Sequence, residues 1–407
     1  MKTVRKRIQT KRSHPFHLVR SWWLGVVALL LLAVGIAIHQ REPGPAWPVQ
    51  GARSGEAATK PVSFGVALGD QLYMSDTAKR TTVLKQIKQA GFTEVRLGLA
   101  WHTTEKIEGK YDWSHLDNLM RVVKKTGLQT VFLANTTPTW ARLDACKASS
   151  ACPPKDPSDY ANFMAAAADR YKDYDIAAWE VWNEQNGNNF WKPQPNVTQY
   201  ADLLKATYPA IKQVDPEATV LVGGLSGDSV DLIGPNLIDP RTYLKKLYAL
   251  GAGDYFDGVA YHPYIADYGL PDKRGEYNGW AKMADRGESM RSIMVANGDA
   301  NKDIWITEFG VPTGGSGPVV TDLSNPPAKA DHVTLEVQAK IVQAAVDDLS
   351  QMPWVRNFLW HTYKDDTTFT TYWGASFGIW QLDGKPKPML EVLQEAMRKQ
   401  VTETAGS

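Results

Sequence analysis

From Val62 onward the chain repeats one pattern: a short run of β-branched and apolar residues, a polar turn, then a longer segment with helical spacing. Strands joined through a helix return to the same end of the sheet, so this alternation constrains the fold to parallel pairing. Strands are expected at Val62 to Leu68, Thr93 to Leu99, Gln129 to Ala134, Ile176 to Trp182, Ala218 to Gly223, Phe256 to Tyr261, Asp303 to Glu308 and Val355 to Trp360. Helices follow, among them Ser75 to Ala90, which Gly91 stops, Pro157 to Tyr171, and a last one over Pro388 to Lys399. Eight strand–helix units over residues 62–398 predict an α/β chain closed as a (β/α)8 TIM barrel. A doubly wound open sheet is the competing arrangement, but no Gly-rich phosphate loop follows the first strand.

The sixty residues before the barrel have a different character. Lys2, Arg5, Lys6, Arg7, Lys11, Arg12 and Arg20 put seven positive charges and no acid into residues 1–20. Ser21 to Ile38 then carries no charge and is long enough to cross a hydrocarbon core as a helix, with Trp22 and Trp23 where an interfacial belt would place them. The expected order is a basic cytoplasmic tail (1–20), a single transmembrane anchor in the inner membrane (21–38), a Pro- and Gly-rich linker (39–61), the barrel (62–398) and a short tail (399–407). A cleaved signal peptide is the alternative, although the apolar run is longer than a usual signal core and no clean cleavage site follows. The basic flank orients the barrel to the periplasmic or extracytoplasmic side.

The formal charge of +1 for 407 residues leaves everything after the basic tail net acidic, which excludes a nucleic-acid partner on charge grounds. The two cysteines, Cys146 and Cys152, are close together in a polar stretch, and on an oxidising side of a membrane they are expected to close a disulfide. Further clustered Cys or His is missing around them, so zinc is not expected. Fifteen Trp and sixteen Tyr are many for this length, and aromatic faces serve both barrel cores and sugar stacking.

Two apolar strands end abruptly in chemistry. Ile176 to Trp182 runs into Asn183-Glu184, and the strand from Asp303 runs into Glu308. In a parallel barrel the carboxyl ends of the strands gather at one face, so both carboxylates are expected there, on strands four and seven. Two such groups are what glycosidic cleavage needs: one protonates the leaving oxygen, the other attacks the anomeric carbon or activates water. Glu184 is expected to be the acid/base, with its pKa raised by burial and by Glu308. Glu308 is expected to stay ionised as nucleophile, held by Arg96 and the Tyr264 hydroxyl, while Asn183 bonds a sugar 2-hydroxyl. Glu180 shares strand parity with Glu184 and is expected to serve structure by pairing with Arg96. Trp101, Trp140, Trp191 and Trp373 lie in loops and are candidates for lining subsites, and the long loops after strands six and seven are read as groove walls.

These residues resemble the clan A retaining glycoside hydrolases over nearly all of residues 62–398. In that clan an Asn-Glu pair ends strand four as acid/base and a Glu ends strand seven as nucleophile, which corresponds here to Asn183, Glu184 and Glu308. The resemblance extends to Arg96 on strand two, His262 and Tyr264 after strand six, and Trp360 ending strand eight, positions the clan uses around the sugar. Trp-Asn-Glu, Thr-Glu-Phe-Gly and the helix containing Glu336-Val-Gln-Ala339 look most like family 39, and within it like the membrane-linked PslG-type glycosidases of exopolysaccharide synthesis. Many clan members carry a His at the end of strand three; here Asn135-Thr136 stands there, a departure that bears on which sugar is read. The resemblance implies a retaining endo-β-glycosidase acting without cofactor or metal on a secreted polysaccharide of the biofilm matrix, beside polysaccharide synthesis or export machinery. Two other readings remain open: an exo-acting β-glycosidase of the xylosidase kind, and a non-catalytic glycan-binding component of an export complex.

Overall fold

A computed structural model of the chain describes residues 61–227, 236–265, 278–284, 287–366 and 373–406. The Ser21 to Ile38 stretch lies outside these residues. Among the described residues no helix is long and apolar enough to cross a membrane.

Eight strands form a closed barrel: β1 Ser63–Gly69, β2 Glu94–Gly98, β3 Gln129–Ala134, β4 Ile176–Asn183, β5 Val220–Ser226, β6 Gly258–His262, β7 Asp303–Phe309 and β8 Val355–His361. Each pairs in parallel with its neighbour in the sequence, and β8 closes on β1, with Val66 opposite Trp360. The helices that return the chain are α1 Thr77–Gln89, α2 Ser114–Thr126, α3 Pro157–Tyr171, α4 Val197–Val214, α5 Pro240–Ala249, α6 Met290–Ala296, α7 Leu335–Leu349 and α8 Met389–Gly406.

The ends of these helices are written in the sequence. Asp76, Asp156, Asn196 and Thr334 each accept a backbone N–H in the first turn of α1, α3, α4 and α7, and Pro157 sits at the start of α3, where no N–H is needed. Gly127 closes α2 in the left-handed region at φ 65°. The last helix was expected to stop at Lys399. It runs on to Gly406, because nothing before that glycine breaks a helix, so residues 399–406 are not a separate tail.

Strand parity sorts the core into two layers. Ala67, Val131, Ala178, Leu221, Ala260 and Leu359 fill the barrel axis with Trp305. The alternate residues, such as Val95, Leu97, Trp179, Val181, Ile304, Ile306, Phe358 and Trp360, face outward into the layer beneath the helices. The loop after β7 contains a two-residue parallel ladder, Val319–Val320 with His332–Val333. Most of the loop after β6 (266–277), read above as a groove wall, falls outside the described residues.

Candidate active site

The carboxyl ends of the strands form one mouth, and two local departures from regular strand geometry aim the carboxylates into it. On β4, parity sends Ala178 and Glu180 to the axis, so unbroken parity would send Trp182 there as well. Instead Trp182 (φ 73°) and Glu184 (φ 45°) adopt left-handed backbone. Trp182 turns out against Trp191, ring centroids 5.2 Å apart, and its indole N–H donates to the Phe190 carbonyl at 2.7 Å. Asn183 and Glu184 are left facing the mouth. The chain can pass so close to β5 because Gly223 lies beside it: a Cβ there would stand 2.4 Å from the Trp182 carbonyl oxygen.

The second departure is on β7. Ile306 pairs with Phe358 and Phe309 with Trp360, so three steps of β7 face two of β8. This bulge brings both Thr307 and Glu308 to the inner side while Phe309 stays in the outer layer. A regular strand would have delivered one or the other.

Arg96 joins these pieces. Its side chain points up the axis from β2, fully buried, and forks onto Glu180: Nε donates to Oε2 at 2.6 Å and Nη2 to Oε1 at 3.0 Å. Nη2 also donates to Asn183 Oδ1 at 2.7 Å, and Nη1 to Glu308 Oε1 at 2.5 Å. The Tyr264 hydroxyl donates to the other Glu308 oxygen at 2.9 Å. With its carbonyl oxygen taken by Arg96, Asn183 has its amide N–H groups left to offer. Glu184 Oε1 lies 2.9 Å from His262 Nδ1, and His262 Nε2 lies 3.1 Å from Thr307 Oγ1. One carboxylate oxygen of Glu184, one of Glu308 and a ring nitrogen of His262 all lie within 4.8 Å of one another. In donor type these three side chains suit a small cation, but Arg96, Tyr264 and the Glu184–His262 contact already occupy the same atoms.

The two carboxyls are held in different states. Burial raises Glu184, helped by the charge of Glu308 and opposed by His262 and Arg96. Burial also pushes Glu308 upward, but His262, Arg96 and His361 outweigh it together with the Tyr264 hydroxyl and bring it down to about 2. One group is therefore an acid with a raised pKa and the other a carboxylate that stays ionised, the division of labour that acid-assisted displacement requires.

The remaining sequence candidates divide. Arg96, Asn183, Glu184, His262, Tyr264 and Glu308 come together as one constellation, and Glu180 pairs with Arg96. Asn135 is half-buried at the end of β3, and Thr136 beside it contacts His102 Nδ1 at 3.0 Å. Trp360 is a correction. β8 extends one residue further than expected, Leu359 and His361 take the inner side, and Trp360 faces outward, fully buried, with its N–H on the Phe377 carbonyl at 2.7 Å. It has no face to offer a sugar. Trp101 is corrected likewise: it is buried, stacked on Phe163 at 5.6 Å and bonded to Glu105. Trp140 is half-buried, edge-on to Trp101, with its N–H on the Glu105 carbonyl, and Trp191 is buried against Trp182. Cys146 and Cys152 are joined as a disulfide with Cα atoms 5.4 Å apart.

Four residues of the mouth went unnoticed in the sequence. His361, one residue past Trp360, places Nδ1 3.9 Å from Glu308 Oε2. Thr307 bridges His262 and Glu180. Asp70 and His102 stand on the loops after β1 and β2, where no periodicity marks them. Burial raises the Asp70 carboxyl against the opposing pull of His102 and Arg96.

Comparisons with known proteins bear on the family and the fold. Over 87 residues the chain is 36% identical to a β-xylosidase of Geobacillus stearothermophilus, a match covering 20% of this chain and 17% of that protein. Its fold is similar to that of a family 39 glycoside hydrolase from the gut symbiont Bacteroides cellulosilyticus WH2, with TM-score 0.61 and 22% identity over 83% of this chain and 64% of the other. It is equally similar to a GH5_18 protein of Streptomyces cattleya solved in complex with GlcNAc, with TM-score 0.61 and 17% identity over 84% and 81% of the two chains. Residues 56–344 match the family described as Cellulase (glycosyl hydrolase family 5), and the chain belongs to that family of glycoside hydrolases.

Proposed function

We propose that this chain is a retaining endo-β-glycosidase that cleaves internal linkages of a secreted polysaccharide by double displacement. The observation that carries the retaining mechanism is the approach of the two carboxyl groups, an oxygen of each within 4.8 Å. Retaining enzymes hold their carboxyls about 5 to 5.5 Å apart, whereas inverting ones need about 6.5 Å or more to admit a water between them. Glu308 attacks the anomeric carbon while Glu184 gives its proton to the departing oxygen. Glu184 then takes a proton from the water that releases the sugar. Arg96 and Tyr264 keep Glu308 ionised and aimed, and Asn183 donates to the sugar hydroxyl next to the reacting carbon.

The polysaccharide substrate, the inner-membrane anchor at residues 21–38 and the neighbouring synthesis or export machinery are supported by the sequence patterns and the PslG-type resemblance. An exo-acting β-glycosidase is the second reading, favoured by the local match to a β-xylosidase. Incubating the protein with exopolysaccharide from its own host, alongside Glu308→Gln, separates the two. Ladders of oligosaccharides lost in the variant are expected, single sugars would establish the exo reading, and binding without release would leave only a glycan-binding role.

A further inference from the structure

The hydrogen-bonding chain behind Glu184 fixes where its proton can go. Glu180 is held as an acceptor by two bonds from Arg96 and one from the Gly224 N–H at 2.7 Å. Thr307 Oγ1 lies 3.2 Å from Glu180 Oε1. Two oxygens at that separation, one of them a carboxylate, repel unless a proton lies between them, and the Thr307 hydroxyl has one to give. Once it is given to Glu180, the Thr307 oxygen has only lone pairs for His262 Nε2, 3.1 Å away, so that nitrogen carries a hydrogen. A protonated His262 is the form that opposes the acid state of Glu184; in the neutral ring Nδ1 is unprotonated, and it lies 2.9 Å from Glu184 Oε1. That contact also needs a proton, and the acid proton of Glu184 is the one available.

Resting on the glycosidase reading above, we infer that Thr307 is a positioning residue for the acid/base: its hydroxyl, committed to Glu180, sets the tautomer of His262 and makes Nδ1 an acceptor for the Glu184 proton. Without that hydroxyl the imidazole is free to carry its hydrogen on Nδ1. It would then donate to an ionised Glu184, favour the charged form and weaken the acid. The charged and titratable groups around the Glu184–His262 pair are Glu308 on β7, Arg96 on β2, His361 on β8 and Tyr264 after β6. Each stays in place when Thr307 is changed to Val, which keeps the branched shape and removes only the hydroxyl.

The test compares the full chain with Thr307→Val and Thr307→Ser. Protein labelled with ¹⁵N-histidine reports the tautomer directly, the His262 signal being assigned by its loss in His262→Gln. A hydrogen on Nε2 is expected in the unaltered protein and in Thr307→Ser, with Nδ1–H appearing in Thr307→Val. On 4-nitrophenyl β-glycosides, the basic limb of kcat/KM is expected to move down by about one pH unit in Thr307→Val and to return in Thr307→Ser. Nδ1–H in the unaltered protein overturns the proposal even if the Val variant does not fold. So does a folded Val variant with the parent's signature and pH profile. The ring signals need no substrate, so a protein that shows Nε2–H yet releases nothing from these glycosides or from the host exopolysaccharide would sink the glycosidase reading and leave the tautomer assignment standing.

Discussion

Asp70 rests directly against Gly98: a Cβ at position 98 would stand 1.7 Å from Asp70 Oδ1. The bare backbone at the end of β2 is what lets the carboxylate reach over the mouth from the loop after β1. Asp70→Ala is expected to lower kcat/KM by about tenfold, in line with a hydrogen bond to a charged group worth ~1.5 kcal/mol, with most of the loss in KM. Gly98→Ala is expected to reproduce that loss by displacing Asp70. Steady-state kinetics on a substrate that the unaltered enzyme cleaves decides, and unchanged KM in both variants would remove Asp70 from the binding site.

Among the described residues Arg96 is the charged partner of Glu180 on the barrel axis, and both side chains are almost fully buried. Removing the cation leaves a buried carboxylate without compensation, which costs about 3 to 5 kcal/mol. Arg96→Met is expected to lose that much stability in denaturant unfolding, and activity besides, since Glu308 loses its closest donor. A loss under ~1 kcal/mol would show that the axis tolerates the bare charge.

The opposite displacements of the two carboxyls give opposite pH signatures. Glu184 has a raised folded pKa, so its contribution to stability is lost as pH rises from the ordinary carboxylate range through the raised value. Glu184→Gln is therefore expected to gain in Tm over the parent as pH rises above the ordinary carboxylate range. Glu308 is depressed to about 2, so the stability it supplies is complete above the ordinary carboxylate pKa and drains away as pH falls toward about 2. Glu308→Gln should thus lose most at neutral pH and least in acid. Thermal melts across the range that ran parallel for all three proteins would contradict both assignments.

Loss of the acid/base has its own signature. Glu184→Ala is expected to reduce kcat by about 10²- to 10⁴-fold on substrates with poor leaving groups and by much less on 2,4-dinitrophenyl glycosides. Added azide should restore turnover and yield the β-glycosyl azide. An α-azide would refute retention.

Trp360 lies buried in the outer layer, away from the mouth. Trp360→Phe removes part of a buried ring from the outer layer and is expected to cost about 1 to 3 kcal/mol while KM stays within about twofold. A large rise in KM with unaltered stability would return Trp360 to the sugar.

The barrel was legible because its signal is periodic: each strand's apolar run and each helix's cap can be read within a dozen residues. Glu184 and Glu308 were legible for a related reason, as charged residues that interrupt such runs at their ends. What could not be read is where backbone departs from its period. The bulge on β7 admits Thr307 beside Glu308, and the left-handed turn at Trp182 sends a tryptophan outward. Trp360 was misplaced because one more residue of β8 moves the strand end to His361, and a shift of one residue exchanges inside for outside. Asp70 and His102 come from loops whose course depends on distant packing, so no spacing announces them.

Because every strand of the barrel runs the same way, Ser63 enters at the end opposite the mouth. The final helix returns to that same end, where the Met397 side chain approaches within 3.3 Å of a Cβ placed on Gly91, in the turn between α1 and β2. Ser63 and Met397 therefore both lie on the underside. A bead or display scaffold attached on that side would leave the opening that holds Glu184 and Glu308 turned toward solvent.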